Sequence, residues 1–471
     1  MPTSTTRRVS VALLTRDLRV HDNPVLAAAV ADADLVVPLF VLDEAILRSA
    51  YHRPNRGRFL AECLGDLDGS LRQRGAGLVV RRGDWVDEVV AVVRDGAAAT
   101  VHVAADVSGY AGRRLDRLSA QLGKRCPDVT LTVHEDALFV VPPGELTPTG
   151  GSRGSGGKDH MAVFTPYFRR WEQTGTRAPA PAPRRLSLPP GLDRGRLPAP
   201  DSLADGPVSP DLPPGGETAG RARMLRWLRD GLADYTDDHD ALGNDNTSRL
   251  SPYLHLGAVS PLELVRRAGE HRTDASRAFV RQVAWRDFYA QLLAARPDAT
   301  RADYRPRGDR WHRSDAELAA WKEGRTGYPI VDAGMRQLAR EGWLHNRARL
   351  IVAHFLCKTL YIDWREGAQH FVDLLVDGDV ASNTMNWQWV AGTGTDSRFN
   401  RSYNVVTQAR RHDPKGHYVR RYVEELAGLD DAYVHEPWLL PEDQREALGY
   451  PAPIVDQDEA RERMRRVRKG S

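Results

Sequence analysis

Val9 to Pro24 reads VSVALLTRDLRVHDNP, an apolar run of strand length, then a polar segment, then a proline able to open a helix. Four further runs of this kind follow at residues 35–41, 78–81, 100–104 and 129–134, and all five read as buried strands. Amphipathic stretches near 24–33, 56–74, 85–94 and 110–122 separate them. Strand and helix in strict alternation predict an α/β domain over residues 7–135, built on a doubly wound parallel sheet. Such sheets bind ligands beyond the carboxyl ends of their strands. The first strand runs into TRDLRVHDNP and not into G-x-G-x-x-G, so a dinucleotide pyrophosphate lacks its usual glycine cradle here. A large cofactor is expected elsewhere in the chain.

The composition then changes. Residues 136–216 hold a Gly/Ser run at 150–157, a segment HMAVFTPYFRRWEQ with the character of an ordered piece, and the proline-rich APAPAPRRLSLPPG and DLPPGG. They read as a long interdomain connector with one docked segment, semi-rigid where proline is dense. From Glu217 the strand signals vanish and helical periodicity takes over, through stretches such as DAGMRQLAREGWLHNRARLIVAHFLCKTL, so 217–455 reads as an all-α domain. RERMRRVRKG closes the chain in a basic tail at 456–471. A length of 471 residues calls for more than one core, since single cores stop growing at roughly 250 to 300 residues. Three widely spaced cysteines without metal-ligand spacing point to a reduced, cytoplasmic setting. No segment approaches the roughly 18 apolar residues of a membrane span, and the apolar run before Arg16 is too short for a signal sequence. With 27% charged residues and a net charge of +3, a polyanionic partner is permitted without being required.

Chemistry concentrates in the helical half. Residues 377–395, DGDVASNTMNWQWVAGTGT, combine Asp377 and Asp379 around Gly378, then Asn383, then Trp387 and Trp389. The acids can accept from a ring N–H or a ribose hydroxyl, the asparagine can donate to a ring nitrogen, and the indoles supply flat walls. That mixture suits a flat heteroaromatic cofactor with a second ring system beside it; the alternative is tryptophan packing at a helix-to-turn junction. NDNTSRLSPYL at 244–254 sets Thr247, Ser248 and Ser251 around Arg249, before a helix that Pro252 can start. Hydroxyls and N–H groups beside an arginine make a phosphate site, unless the segment is a routine N-cap.

These motifs stand in one order with AWRDFY at 284–289, GYPIVDAGMRQL at 327–338, GWLHNRARL at 342–350 and IDWREG at 362–367. Together they resemble the DNA photolyase and cryptochrome family, and the likeness runs from TRDLRVHDNP to HEPW near residue 438. The resemblance implies an antenna pigment on the α/β domain and a folded-back FAD in the helical domain. Tyr235, Thr247, Ser248, Arg249, Leu250 and Ser251 match the family's FAD phosphate elements. Gln282, Trp285, Arg286 and Tyr289 match the helix lining cofactor and lesion, and Asn346, Arg349, Asp377, Gly378, Asp379 and Asn383 match positions around the flavin. Trp387, Trp364 and Trp311 match a chain that carries an electron from the surface to the photoexcited flavin. Electron tunnelling falls steeply with distance, which is the physical reason for stepping between closely spaced indoles.

The departures are informative. Gln282 stands where the best-known dimer photolyases carry glutamate, Leu350 where many carry methionine, and His239 at a place often filled by arginine. Photolyases of (6-4) lesions share the glutamine but need a histidine pair where this chain has Asn346 and Leu350, which argues against that subclass. Tyr110, Ala111 and Gly112 replace an acidic folate-contacting pattern and favour an 8-hydroxy-deazaflavin antenna over methenyltetrahydrofolate. Trp285 and Trp389 are expected to flank a flipped-out dimer, with Arg347, Arg401, Arg410 and Arg411, joined by Lys415, Arg420 and Arg421, holding DNA phosphates; for Arg420 and Arg421 a solvated helical face fits equally well. The expectation is a monomeric, light-driven lyase that splits cyclobutane pyrimidine dimers. The alternative is a cryptochrome-like photoreceptor without repair activity.

Overall fold

The computed structural model describes residues 7–148, 160–395, 404–456, 459–460 and 462. The chain divides into two compact units, the first made of residues 1–207, 213–233 and 248–297, the second of 208–212, 234–247 and 298–471.

The first unit carries a five-stranded sheet: β1 (Val9–Leu14), β2 (Leu35–Asp43), β3 (Val79–Gly83), β4 (Thr100–Ala104) and β5 (Thr130–His134), in the order β3-β2-β1-β4-β5 with every pair parallel. The expected doubly wound topology is therefore present. β1 pairs from Val9 opposite Leu35 to Leu14 opposite Phe40, and both strands are buried throughout, as central strands covered on two faces should be. The expectation that all five are buried fails at β5, which is exposed or half-buried along its length. β5 is an edge strand whose Thr and His residues alternate with Leu131 and Val133, so only part of it has anything to pack against.

The helices start where short polar side chains cap them. Asn23 accepts from Leu26 N–H ahead of Pro24–Asp32, Asp84 caps Trp85–Asp95, and Ser108 caps Gly109–Arg125. TRDLRVHDNP is held by charge in place of glycine. Buried Arg19 donates to the carbonyls of Asp22, Ala137 and Gly257 at 2.8 to 3.0 Å. The Glu217 carboxylate accepts from the N–H groups of Val20 and His21 at 2.7 and 3.0 Å. The connector's ordered piece is the helix Phe164–Trp171, and the unit also contains Glu217–Asp230, Pro261–Gly269 and the long helix Asp274–Ala295.

The second unit is helical: Asp315–Lys322, Pro329–Glu341, Asn346–His354, Trp364–Leu374, Val380–Ala391, Val405–His412 and His417–Tyr422 surround a core that includes Trp321, Phe355, Trp364 and Trp387. The helically periodic stretch DAGMRQLAREGWLHNRARLIVAHFLCKTL forms more than one element. Gly342, at φ +60, ends Pro329–Glu341 in the left-handed conformation that glycine takes without strain. Beyond His354 the helix widens into a π-helix, Phe355–Leu360, which closes on Tyr361 at φ +57. Among the described residues no helix is long and apolar enough to cross a membrane.

Candidate functional site

The residues singled out by sequence fall into both units, and each set has its own geometry. In the helical unit, Asp377 to Asp379 form a tight turn at the head of Val380–Ala391, whose N-terminus Asp379 caps by accepting from Ser382 N–H at 2.8 Å. Asp377 is buried and paired with Arg349, whose Nη2 lies 2.8 and 3.1 Å from the two carboxylate oxygens. A second bond from Arg349 Nε to the Leu344 carbonyl, 2.8 Å, fixes the guanidinium, so this ion pair has one geometry. One turn into the helix, Asn383 donates its amide to the Ala368 carbonyl at 3.0 Å. That bond uses one of the two amide N–H groups, so the second N–H can serve a ring nitrogen and the oxygen a ring N–H.

Trp387, one turn further, is buried between Phe371 at 5.0 Å and Trp321 at 6.0 Å, both edge-on. Its ring also rests on the backbone of Gly367, where a Cβ would lie 2.2 Å from the indole. Any other residue at 367 would drive the ring out. Gly367 sits three residues after Trp364 on the same helix face, so the two indoles are carried by adjoining surfaces. Trp364 is 1% exposed and its N–H donates to Asp303 at 2.9 Å. Trp311 is half-buried against Tyr361. The three tryptophans thus run from fully buried to partly exposed.

Tyr235 is buried, with its phenol pushed upward by desolvation and then by Asp240. The Thr247 hydroxyl is buried and has no hydrogen-bond partner among the described residues. Trp389 is half-buried, and Asn346 is exposed at the start of its helix. Arg347 lies in an ion pair with Asp240: burial works to raise that carboxyl, but the hydrogen bond and charge of Arg347 outweigh it and bring it down. Arg410 is paired with Glu436, Arg420 with Asp431 at 2.7 Å, and Arg421 with Asp245 at 3.8 Å. Arg411 and Lys415 are exposed and have no ion-pair partner among the described residues, while Arg401 lies outside them.

In the sheet-bearing unit, the stretch from Ser248 to Ser251 makes a compact turn. Arg249 adopts φ +50, which costs a non-glycine residue roughly 1 to 2 kcal/mol, and Leu250 follows in the right-handed region. Consecutive left- and right-handed residues turn successive N–H groups into one concavity, a shape that receives anions. This feature had no signature in the sequence, where only the hydroxyls and the arginine were visible. Arg223 Nε holds the Ser248 carbonyl at 3.0 Å.

Gln282, Trp285, Arg286 and Tyr289 share one face of Asp274–Ala295. Gln282 is exposed, Trp285 and Arg286 half-buried, and Tyr289 buried. Trp285 is stacked on Phe164 with ring centroids 3.6 Å apart and planes 10° from parallel. Arg286 donates to the Leu138 carbonyl at 2.5 Å and lies over the Phe139 ring. Behind them, buried Asp287 accepts from Val140 and Val141 N–H and from Trp171 Nε1 at 2.9 to 3.1 Å. Burial raises its carboxyl despite the charge of Arg286 and these donors. Phe164 and Asp287, which pack against or beside Trp285 and Arg286, were not singled out from the sequence, although FTPYFRRW shows aromatic spacing and Asp287 lies within AWRDFY.

Residues 10–184 match the family described as DNA photolyase, and 279–469 the FAD binding domain of DNA photolyase. A relative from Streptomyces griseus named deoxyribodipyrimidine photo-lyase is 55% identical over 461 residues, covering 98% of this chain and 99% of its own length. The fold is similar to a bacterial class III photolyase from Agrobacterium tumefaciens, with TM-score 0.89 and 31% identity over 100% of this chain and 99% of that one. It is also similar to a Synechocystis cryptochrome, with TM-score 0.87 and 28% identity over 98% and 99%.

Proposed function

Because the chain belongs to the DNA photolyase and cryptochrome family, we propose that it repairs cyclobutane pyrimidine dimers in DNA, using blue light and FAD. The observation that carries the choice of repair over signalling is the 55% identity, through both units, with a relative named for dimer cleavage. The residues present fit the cofactor. An orphaned buried hydroxyl at Thr247 and the N–H concavity at Arg249 suit its phosphates, and the Arg349–Asp377 pair with Asn383 suits a polar ring edge. When bound, FAD supplies the light-driven one-electron chemistry. The chain's own residues do the rest: Gln282 donates to a lesion carbonyl through an amide that needs no proton uptake, and Trp285 offers a flat face already set by its stack on Phe164. Trp389 supplies a second flat face. Trp387, Trp364 and Trp311 pass an electron inward.

The DNA is held through phosphates by Arg411, Lys415 and their neighbours, without base reading. For the antenna an 8-hydroxy-deazaflavin is favoured over methenyltetrahydrofolate, because Tyr110, Ala111 and Gly112 stand in place of an acidic folate-contacting pattern; the Tyr110 hydroxyl donates to Asp43 at 2.7 Å. The protein works as a monomer in the cytoplasm, a setting that suits its free thiols. Domain limits of 7–135, 136–216, 217–455 and 456–471 describe the sheet, connector, cofactor and tail roles. The decisive experiment illuminates purified protein, its flavin chemically reduced, with dimer-containing DNA. Restored pyrimidines in the light and none in the dark are expected; binding without splitting would favour the signalling reading.

A further inference from the structure

The helix that carries Trp285 buries two polar side chains that the repair chemistry does not use. Asp287 and Gln291 stand one turn apart on Asp274–Ala295, 1% and 5% exposed, in the interface where residues 161–171 lie against it. That interface is otherwise aromatic. Phe164, Tyr167, Phe168 and Trp171 recur at the spacing of one helical face, and all four are buried. Phe164 stacks on Trp285 and meets Phe288 edge-on at 5.5 Å, and Tyr167 meets the same Phe288 at 5.3 Å. Phe168 lies 5.9 Å from Phe164 and 6.0 Å from Trp171, close to parallel with both. Apolar surfaces of this kind keep their stability when they slide or repack, and it is uniqueness that they lose first.

The two polar groups are directional where the rings are not. Asp287 Oδ2 accepts from Trp171 Nε1 at 2.9 Å, and from the N–H groups of Val140 and Val141 at 3.1 and 3.0 Å. Gln291 closes on the Met161 backbone with both ends of its amide, accepting from the N–H at 3.1 Å and donating to the carbonyl at 2.7 Å. Met161 stands three residues before Phe164, and Trp171 is the last residue of the helix, so the segment is gripped at both ends with Phe164 between. A shift by one residue would break both grips, taking Trp171 from Asp287 and leaving the Gln291 amide buried without partners. Rings sliding on rings incur no such cost. We propose that Asp287 and Gln291 are positioning residues for the lesion site: they hold residues 161–171 in one register, which sets the Phe164 ring and, through the stack, the plane that Trp285 presents to a dimer. The inference rests on the reading given above in which Trp285 is a wall for the lesion. Neither residue touches the dimer. A wall held in one orientation before the ligand arrives loses no freedom on binding, and the affinity gains accordingly.

The test uses the full-length holoprotein labelled with fluorotryptophan and read by fluorine NMR, with the Trp285 line identified by its absence in Trp285→Phe. In wild type that line should be single and narrow before DNA is added. Trp171→Phe keeps a ring and removes only its N–H, and Gln291→Met keeps volume and removes both bonds to Met161. In each the Trp285 line should shift and broaden, and the preference for dimer-containing over intact duplex should fall roughly two- to tenfold, the worth of one aromatic stack. The slope of affinity against salt should not change, since no phosphate contact is altered. Asp287→Asn, which still offers an oxygen to all three donors, is the conservative variant and should retain both the narrow line and the preference. The proposal is overturned if the Trp285 line is already broad in wild type, or if line and preference stay at wild-type values in both Trp171→Phe and Gln291→Met. It is overturned equally if affinity for the two duplexes falls by one common factor, the mark of a support for the fold alone. A wild type that does not prefer dimer-containing DNA would overturn the lesion reading, and this inference with it; that failure shows in the binding data whatever the Trp285 line does.

Discussion

Tryptophan is used in two opposite ways in the two units. Trp285 is half-buried, stacked face to face on Phe164 at 3.6 Å, and none of its recorded ring neighbours is an acid. Trp364 is fully buried, and its N–H points at the carboxylate of Asp303. A stack fixes the plane of a ring and leaves its electronics alone, which is what a wall for a flat lesion needs. The carboxylate on the indole N–H favours positive charge on the ring, the Arg365 guanidinium 4.6 Å from the ring centre and paired with that same Asp303 at 2.8 Å opposes it, and burial lowers the solvent rearrangement that accompanies charging. On the function proposed above, one tryptophan is there to be touched and the other to be oxidised.

The sharpest way to break this comparison is Trp364→Phe. Phenylalanine fills most of the volume but is far harder to oxidise, so photoreduction of oxidised flavin should be abolished. Repair by enzyme whose flavin has been chemically reduced should persist, because the relay serves activation and not ring splitting. Photoreduction rates and repair yields measured on the same preparation decide the matter; equal loss of both would make Trp364 a structural residue.

The counterpart on the other side is Phe164→Leu, which keeps an apolar contact and removes the stack. Aromatic pairs contribute about 0.5 to 1.5 kcal/mol beyond their buried area, and a looser Trp285 should weaken dimer affinity by about that amount, roughly two- to tenfold. Photoreduction should be unaffected. Titration with dimer-containing and intact duplexes tests this, and Phe164→Tyr should restore the wild-type value. Loss of affinity for both duplexes alike would show that Phe164 holds the fold and not the wall.

Gln282, three residues before Trp285 on the same face, should have an effect of comparable size. Its amide is exposed in the unliganded chain, so Gln282→Ala should cost about 0.5 to 1.5 kcal/mol of lesion affinity, the ordinary net worth of one hydrogen bond. Gln282→Glu separates the chemistry from the loss. A glutamate must be protonated to donate, and it ionises as pH rises, so the variant should lose repair on the alkaline side where the wild type stays flat. If wild type repairs nothing and Gln282→Glu gains activity, the signalling reading wins.

Legibility in the sequence followed the range of the interactions. All five strands and the four longer helices between them were readable because apolar period and capping residues are local, as at Asn23 and Asp84, while the four-residue helix Glu44–Leu47 was too short to show a period. β5 misled because burial depends on a neighbour that it lacks as an edge strand. Gly342, which ends one helix, was visible as a glycine, whereas no local signal marked the π-helix. At the site, Asp377 and Arg349 were 28 positions apart and still legible through motif order, which carries three-dimensional information that spacing alone does not. The partners that neutralise the basic run were not legible, since an arginine's acid can come from anywhere in the chain.

That blind spot yields the smallest predicted effect. Arg347 and Arg411 look alike in sequence, yet Arg347 is committed to Asp240, an acid held ionised by that pair, and Arg411 is exposed. Each cation that displaces counterions from DNA contributes roughly 0.7 to 0.9 to the slope of log affinity against log salt. Arg411→Ala should therefore flatten the slope by about one such step for dimer-containing and intact duplexes alike, because phosphate contacts carry no lesion information. Arg347→Ala removes a charge that its partner already cancels and leaves Asp240 uncompensated near the strand, so affinity should fall with little change in slope. Binding isotherms over a salt series for the two variants distinguish these outcomes. A full step lost in Arg347→Ala would mean that the Asp240 pair opens when DNA arrives, making it a latch on the binding face in place of a fixed support.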